Sequence, residues 1–236
     1  MSATKLEVSS YYNNFTEKQK KIGISVRHRI IYQNLKKIGL KANSNVLEIG
    51  CGIGTVSYLM IKHIKNGKFV GCDISEKSIE IAKINNQQKH AEFICTDMSD
   101  FTHSIKFDFV VFPDVLEHIP VEQHLKLFEN VSKVCGPNAK LLINIPEPSS
   151  LNWMRKNKPE LLQIIDQSLS MQDLMNNTYP NGFLLESLMP YSIHTNVNNY
   201  VNIVFVKNAL ISNYDFKSKL KNFIFNLKFR FQALLK

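Results

Sequence analysis

The chain has 236 residues, 44% of them hydrophobic, and carries 29 basic against 20 acidic side chains, a formal net charge of +9. That composition supports a sizeable core in one α/β domain with appendages and excludes a disordered chain. The longest uncharged apolar runs, such as 141–146, fall far short of the roughly 20 residues a membrane-spanning helix needs, and the opening MSATKLEVSS has no apolar signal region, so the expected location is cytoplasmic.

The charge is unevenly placed. Residues 1–41 carry nine basic and two acidic side chains, 42–207 carry 14 and 17, and 208–236 carry six and one. A mildly acidic centre thus has two basic ends, which can meet RNA, anionic lipid or an acidic substrate, or simply face water. The four cysteines, Cys51, Cys72, Cys95 and Cys135, form no CxxC pair, which argues against a zinc site or a disulfide framework and for small buried hydrophobes.

In chain order, residues 1–41 read as helical, with Ile24, Ile31 and Leu35 near helical spacing. From 43 to 140 short apolar runs alternate with helical periodicity. Strands are predicted at 45–49, 68–73, 91–95, 107–112 and 139–146, and helices at 54–64, 75–88 and 120–135. Ser75 and Pro120 supply helix starts. The alternation predicts a parallel sheet covered on both faces. After Pro146 the chain turns polar over 147–183, in short helical pieces, before two further strands at about 184–191 and 199–207. An insertion just after the fifth strand lies at the carboxyl edge of the sheet, where open α/β folds bind ligands.

The stretch VLEIGCGIGTVS (46–57) sets Gly50, Gly52 and Gly54 between a strand and a helix, where bare backbone approaches a ligand closely. The dinucleotide fingerprint G-x-G-x-x-G would need a glycine at Thr55, and no Lys-Ser/Thr pair follows as in a phosphate-binding P-loop. A nucleoside without a pyrophosphate fits better. Asp73 ends the next strand, where a carboxylate can accept from both ribose hydroxyls. Asp97 follows the third strand, placed to read an adenine amino group while Met98 packs on the ring. With Glu48 these make three carboxylates at successive strand ends.

Taken with VGCDIS (70–75), CTDMSDF (95–101) and FDFVVFPDVLEHIP (107–120), these motifs resemble those of class I S-adenosylmethionine-dependent methyltransferases over 42–207. The resemblance implies a Rossmann-like sheet of seven strands, mostly parallel with helices on both faces and the last strand antiparallel. It also implies that Gly50, Cys51 and Gly52, with Gly54, line the methionine part of the cofactor, that Asp73 with Ile74 holds the ribose, and that Asp97 and Met98 hold the adenine. Glu48 is expected beneath the loop, orienting it through backbone or amine contacts. Pro113 and Tyr12 complete the expected cofactor site: related enzymes often close the pocket with an N-terminal helical cover, from which Tyr11, Tyr12 or Phe15 would lie over it, although a preceding helix packed on the sheet would read the same.

Methyl transfer from a sulfonium is a direct displacement, and a hydroxyl acceptor gains from a base near neutral pH. His118, just past the fourth strand, is the candidate base; a structural histidine bonded to a neighbouring loop would look the same. Asp114-x-x-Glu117-His118 resembles the E-x-x-E-H of quinone-biosynthesis O-methyltransferases, some of which bind a divalent cation there. The preferred reading of these three is one face of a loop with solvated acids, without a metal. Phe112-Pro113-Asp114-Val115 lacks the Pro-Pro-aromatic turn of nucleobase amine methyltransferases, so nucleic acid is demoted as a substrate. The leading expectation is O-methylation of a small or lipid-linked metabolite. Small-molecule N- or C-methylation, RNA methylation and a non-catalytic partner protein follow. Trp153, Arg155 and Tyr179 in the insertion are expected acceptor contacts, and Arg27 and Arg29 anion contacts.

The segment 208–236 repeats Phe216, Leu220, Phe223, Leu227, Phe231 and Leu234 at helical spacing among lysines and arginine. It reads either as a basic amphipathic helix at a membrane surface, making the protein peripheral, or as a helix docked on its own domain or on a second subunit of a homodimer.

Overall fold

In the computed structural model the described residues are 4–193 and 195–207. Two helices lead, α1 (Lys5–Ile22) and α2 (Val26–Lys37). There follow β1 (Val46–Ile49), α3 (Thr55–His63), β2 (Phe69–Asp73), α4 (Glu76–Asn85), β3 (Ala91–Cys95), β4 (Phe107–Pro113), α5 (Val121–Val134) and β5 (Cys135–Pro146). After these come α6 (Pro148–Asn157), α7 (Met171–Thr178), β6 (Phe183–Tyr191) and β7 (Tyr200–Lys207).

The seven strands form one sheet in the order β3-β2-β1-β4-β5-β7-β6. β1 to β5 pair in parallel, and β7 runs antiparallel to both β5 and β6. Alternate residues feed two cores, because successive strand side chains point to opposite faces. Leu47, Val70, Val110, Phe112, Leu141 and Ile143 pack with Phe128 and Val131 of α5 and Leu174 of α7. Val46, Phe69, Val111, Leu142 and Val204 pack with Ile31 and Leu35 of α2, Met60 of α3 and Ile79 of α4. The strand order reverses direction between β1 and β4, and a crevice opens there at the carboxyl ends.

Helix starts follow local chemistry. Ser75 caps α4 by accepting from the Ser78 N–H at 3.0 Å, and Pro120 precedes α5. Thr4 and Ser25 close capping boxes on α1 and α2.

Three expectations are corrected. Ile24 does not belong to the helical stripe: the chain breaks at Gly23, φ 57°, and Ile24 lies between α1 and α2, 37% exposed, while Ile31 and Leu35 are buried. Strand β5 starts at Cys135 rather than 139, because Phe107 pairs with Cys135 and Phe109 with Lys140 across an irregularity that absorbs the Gly-Pro-Asn turn signal. Cys95 is exposed, whereas the other three cysteines are buried. The expected amphipathic helix at 208–236 lies outside the described residues.

Candidate active site

At the carboxyl ends of β1, β2 and β4 lies a cavity of about 570 Å³. Its roof is α1, through Lys5, Val8, Tyr12, Phe15, Gln19 and Ile22, one face at i, i+3 and i+4 spacing. Of the expected residues, Tyr12, Glu48, Gly50, Cys51, Asp73, Ile74, Asp97, Met98, Pro113, Asp114 and His118 line it. Gly52, Gly54 and Glu117 do not.

The glycine loop is shaped by the protein's own packing as much as by any ligand. Gly50 has φ 73°, and a Cβ there would fall 2.2 Å from a methyl of Val115. A Cβ on Gly52, φ 52°, would meet the Gln19 amide at 2.6 Å, so the loop is bare where the β4 loop and α1 press on it.

Asp73 organises this loop. Its Oδ2 accepts from the Gly52 N–H at 2.8 Å and its Oδ1 from the Ser75 N–H at 2.9 Å. Burial raises its pKa, opposed by these backbone bonds. Each oxygen keeps a lone pair for a hydroxyl in the cavity. Asp97 pairs with Lys5 of α1 and accepts from the Ser99 N–H at 2.9 Å. Burial opposes its charge, but the Lys5 and Ser99 bonds prevail and lower it to about 2. Met98 is 3% exposed with φ 64°, its backbone turned so that the carbonyl meets the Asn130 amide at 3.0 Å.

Glu48 departs from expectation. It accepts from the Ser57 hydroxyl of α3 at 2.5 Å rather than from backbone or amine. Burial raises it to about 8, Ser57 opposing, so it holds a proton at neutral pH.

His118 sits in a short 3₁₀ turn, 116–118, after β4. Its Nδ1 faces the Ile165 carbonyl at 2.6 Å and Asp166 Oδ1 at 3.2 Å, so Nδ1 carries a proton. Nε2 lies 3.1 Å from the Gln163 amide nitrogen and 3.9 Å from Glu117 Oε1. Burial disfavours the imidazolium, but Glu117, Asp166 and the Ile165 carbonyl outweigh it and raise His118 to about 9. Exchanging the Gln163 amide ends would bring its Oε1, otherwise buried without a partner, to accept from a charged Nε2–H. Tyr12 stands over this pair, ring centres 6.2 Å apart, with its hydroxyl buried and unpartnered and its pKa raised by burial.

The solvated-face reading of Asp114, Glu117 and His118 is corrected. Glu117 is 1% exposed, its Oε2 has no hydrogen-bond partner, and burial raises its pKa against the pull of His118. Asp114 is bound elsewhere: Oδ2 pairs with Arg27 Nε at 2.6 Å, and Oδ1 accepts from the Asn144 amide at 2.5 Å. Among the described residues no cluster of three His, Cys, Asp or Glu is arranged to hold a metal.

The insertion reaches the cavity through Gln163 and Ile165. Trp153 and Tyr179 are 57% and 43% exposed and, like Arg155, do not line it. Arg155 donates to the Asp166 carbonyl at 2.7 Å and so holds the turn facing His118. Sequence reasoning missed Gln19, Gln163 and Ile165, which lie in no motif, and Val115, which lies within the 107–120 motif but had no role assigned. It also missed Tyr200 and Asn144, which are strand residues brought to Arg27 and Asp114 only by the sheet order.

Residues 46–138 match a family model described as a methyltransferase domain, which covers β1 to the start of β5 and leaves out α1, α2, the insertion and the last two strands. Over these residues the chain is similar to methyltransferase domains. The ubiquinone biosynthesis O-methyltransferase of Coxiella burnetii is 33% identical over 113 residues, 46% of this chain and 46% of that protein. The ribosomal protein L11 methyltransferase of Thermotoga neapolitana is 31% identical over 110 residues, 47% of this chain and 39% of that one. The chain thus spans about half the length of the curated relatives it matches. Among solved structures, magnesium protoporphyrin IX methyltransferase from Synechocystis PCC 6803 with bound SAH superposes with a TM-score of 0.68 at 20% identity, covering 86% of this chain and 99% of that one. The N-methyltransferase NodS from Bradyrhizobium japonicum WM9, also with S-adenosylhomocysteine, gives 0.67 at 16% identity over 84% and 100%. These likenesses establish the Rossmann-like methyltransferase fold.

Proposed function

We propose that the protein transfers a methyl group from S-adenosylmethionine to a hydroxyl of a small or lipid-linked metabolite. The observation that carries this reading is the convergence of Asp73, the Gly50–Cys51 backbone, Met98 and His118 on one cavity at the switch point of the sheet. An unpartnered Tyr12 hydroxyl, a carboxylate with open lone pairs and an apolar wall of Ile74 and Met98 fit a nucleoside with an amino-acid tail. Asp73 would take the ribose, Asp97 and Met98 the adenine, and Gly50 and Cys51 the methionine part; the cofactor supplies an activated methyl on sulfur.

The residues of the chain do the remaining work. The roof helix α1 excludes water, which strengthens every polar contact beneath it. His118 takes the proton of the acceptor hydroxyl at Nε2, while Nδ1–H stays on the Ile165 carbonyl and Asp166 steadies the resulting charge. The name of the Coxiella burnetii relative supports oxygen as the acceptor atom, and the absence of a base-methylating motif supports a metabolite over RNA.

The test is transfer of labelled methyl into a lysate split into organic-extractable, small polar, RNA and protein fractions. Alkali-stable label in the organic or small polar fraction supports the reading and separates lipid-linked from free acceptors, whereas label released by alkali would be a methyl ester and would replace the hydroxyl by a carboxyl acceptor. Label in RNA or protein overturns the acceptor class. S-adenosylhomocysteine binding without label anywhere favours a non-catalytic partner protein.

A further inference from the structure

We propose that Arg27 recognises the acceptor, reading a carboxylate on the molecule to be methylated; this rests on the methyltransferase reading above and names its substrate class. Arg27 lies in the first turn of α2 and lines the cavity. It stands at the end of β4, three strands from β3 and Asp97, roughly 14 Å across the sheet at about 4.8 Å per strand. A nucleoside held by Asp73 and Asp97 therefore leaves the Arg27 end of the cavity for a second molecule.

The guanidinium is fixed but incompletely used. Nη1 donates to the Tyr200 hydroxyl at 2.6 Å, and the guanidinium carbon sits 5.0 Å from the centre of the Tyr200 ring. Nε lies 2.6 Å from one Asp114 oxygen as an ion pair, but its buried N–H makes no hydrogen bond among the described residues, so the paired contact that an arginine fork favours is missing. Nη2 donates no hydrogen bond among the described residues. Asp114 is itself held on its other oxygen by Asn144, whose amide oxygen accepts from the Tyr191 hydroxyl at 2.6 Å. Asp114 also has φ 58°, a left-handed backbone uncommon outside glycine, maintained by its N–H bond to the Asn144 carbonyl at 2.9 Å. This is more restraint than an ion pair joining two elements needs. It presets the plane and the open edge of one guanidinium in a cavity wall.

His28 adds a second donor. Its Nδ1 accepts from the Ser25 N–H at 3.2 Å, which leaves the proton of the neutral ring on Nε2, and His28 lines the same cavity. Burial and the neighbouring Arg27 charge keep it neutral. A planar monoanion matches the open Nη2 edge with its charge and shape. A phosphate dianion would set a second negative charge against Asp114, so the geometry selects carboxylate.

The experiment uses the full chain saturated with S-adenosylhomocysteine and a panel of hydroxybenzoates, hydroxycinnamates and hydroxy fatty acids, each as free acid and as methyl ester. Binding is followed by calorimetry, and methyl transfer in parallel with S-adenosylmethionine. The expected result is at least one acid binding tenfold or more tightly than its ester. Arg27→Gln should erase that advantage while S-adenosylhomocysteine affinity shows the variant folded, and Arg27→Lys should restore part of it. Esters equal to acids throughout, no acid binding at all, or Arg27→Gln weakening acid and ester alike would overturn the proposal. If S-adenosylhomocysteine itself fails to bind, the methyltransferase reading falls, and the acid and ester comparison on the protein alone still decides the role of Arg27.

Discussion

His118 is held by its Nδ1 edge, and that restraint decides when it can act as a base. Raised from 6.5 to about 9, it is mostly imidazolium at neutral pH. Turnover on a hydroxyl acceptor should therefore climb with pH through about 9, and a rate already level at pH 7 would remove His118 as the base. The sign for stability is opposite: a raised histidine contributes most below about 6.5, and the contribution is lost as pH rises through about 9. His118→Gln should cut turnover by about 10²- to 10⁴-fold and leave S-adenosylhomocysteine affinity unchanged. For Asp73→Ala, which removes the acceptor of two backbone N–H groups as well as the ribose contact, affinity for S-adenosylhomocysteine should fall by about 2–3 kcal/mol, measurable by calorimetry. Glu48 offers a separate test. Its carboxyl is raised from 4.5 to about 8 by burial, so its contribution to stability is full below about 4.5 and is lost as pH rises through about 8. Glu48→Gln keeps the acceptor for Ser57 and needs no proton. Melting curves should show it more stable than the parent at pH 8, by about 1–3 kcal/mol, and equal to it near pH 4. The three strand-end carboxylates were legible because strand, glycine and acid recur in fixed order. The partners that set the protonation of Asp97, Glu48 and His118 were not, since Lys5, Ser57 and the turn holding Gln163 and Asp166 arrive from three other segments.

At the scale of elements, α1 carries a face that sequence periodicity does not reveal. Lys5, Val8, Tyr12, Phe15, Gln19 and Ile22 alternate charge, apolar and amide, because the face meets a cavity and its rim rather than a core. Only Thr16 of α1 is buried. The helix is secured by polar contacts: Lys5 with Asp97, Ser9 with the Ile74 carbonyl at 3.2 Å, and Asn13 Oδ1 with the Ser75 hydroxyl at 2.7 Å. Each is a contact to a loop of the proposed cofactor site, and exposed ion pairs such as the first are worth less than about 1 kcal/mol. A helix so weakly anchored opens locally at low free energy. Ligand beneath it should shift that equilibrium, so amide exchange over Lys5–Ile22 is expected to slow at least tenfold with saturating S-adenosylhomocysteine, while exchange in β1 and β4 barely changes. Equal exchange in α1 with and without ligand would mean that the roof does not close on the cofactor. The strands were legible for the opposite reason: β1, β2 and β4 are mostly buried and read as apolar runs broken only by Glu48 in β1 and the exposed Asp108 near the start of β4. The start of β5 was hidden by Gly136, Pro137 and Asn138, residues that signal a turn even where the pairing resumes beyond them.

For the whole molecule, the separation of charge gives the proposal of a lipid-linked acceptor its own test. Residues 42–207 are mildly acidic, while residues 208–236 hold six basic side chains, one acid and six regularly spaced large apolar residues. If that segment supplies membrane contact, binding should combine apolar insertion with attraction to anionic headgroups, the latter worth about 1 kcal/mol per basic residue near the surface. Full-length protein should then float with vesicles containing phosphatidylglycerol, not with pure phosphatidylcholine, and should be released as salt shortens the Debye length from about 10 Å at 0.1 M towards 3 Å at 1 M. Replacing Leu220, Phe223 and Leu227 by glutamate should abolish flotation, and S-adenosylhomocysteine affinity kept at the parent value would show that the variant still folds. Flotation that survives the triple substitution would move the membrane contact elsewhere. A parent protein that never floats but sediments as a dimer, and becomes monomeric on the same substitutions, would assign the apolar stripe to a second subunit. The acceptor would then be drawn from free metabolites, and the carboxylate read by Arg27 would become the main source of substrate selection.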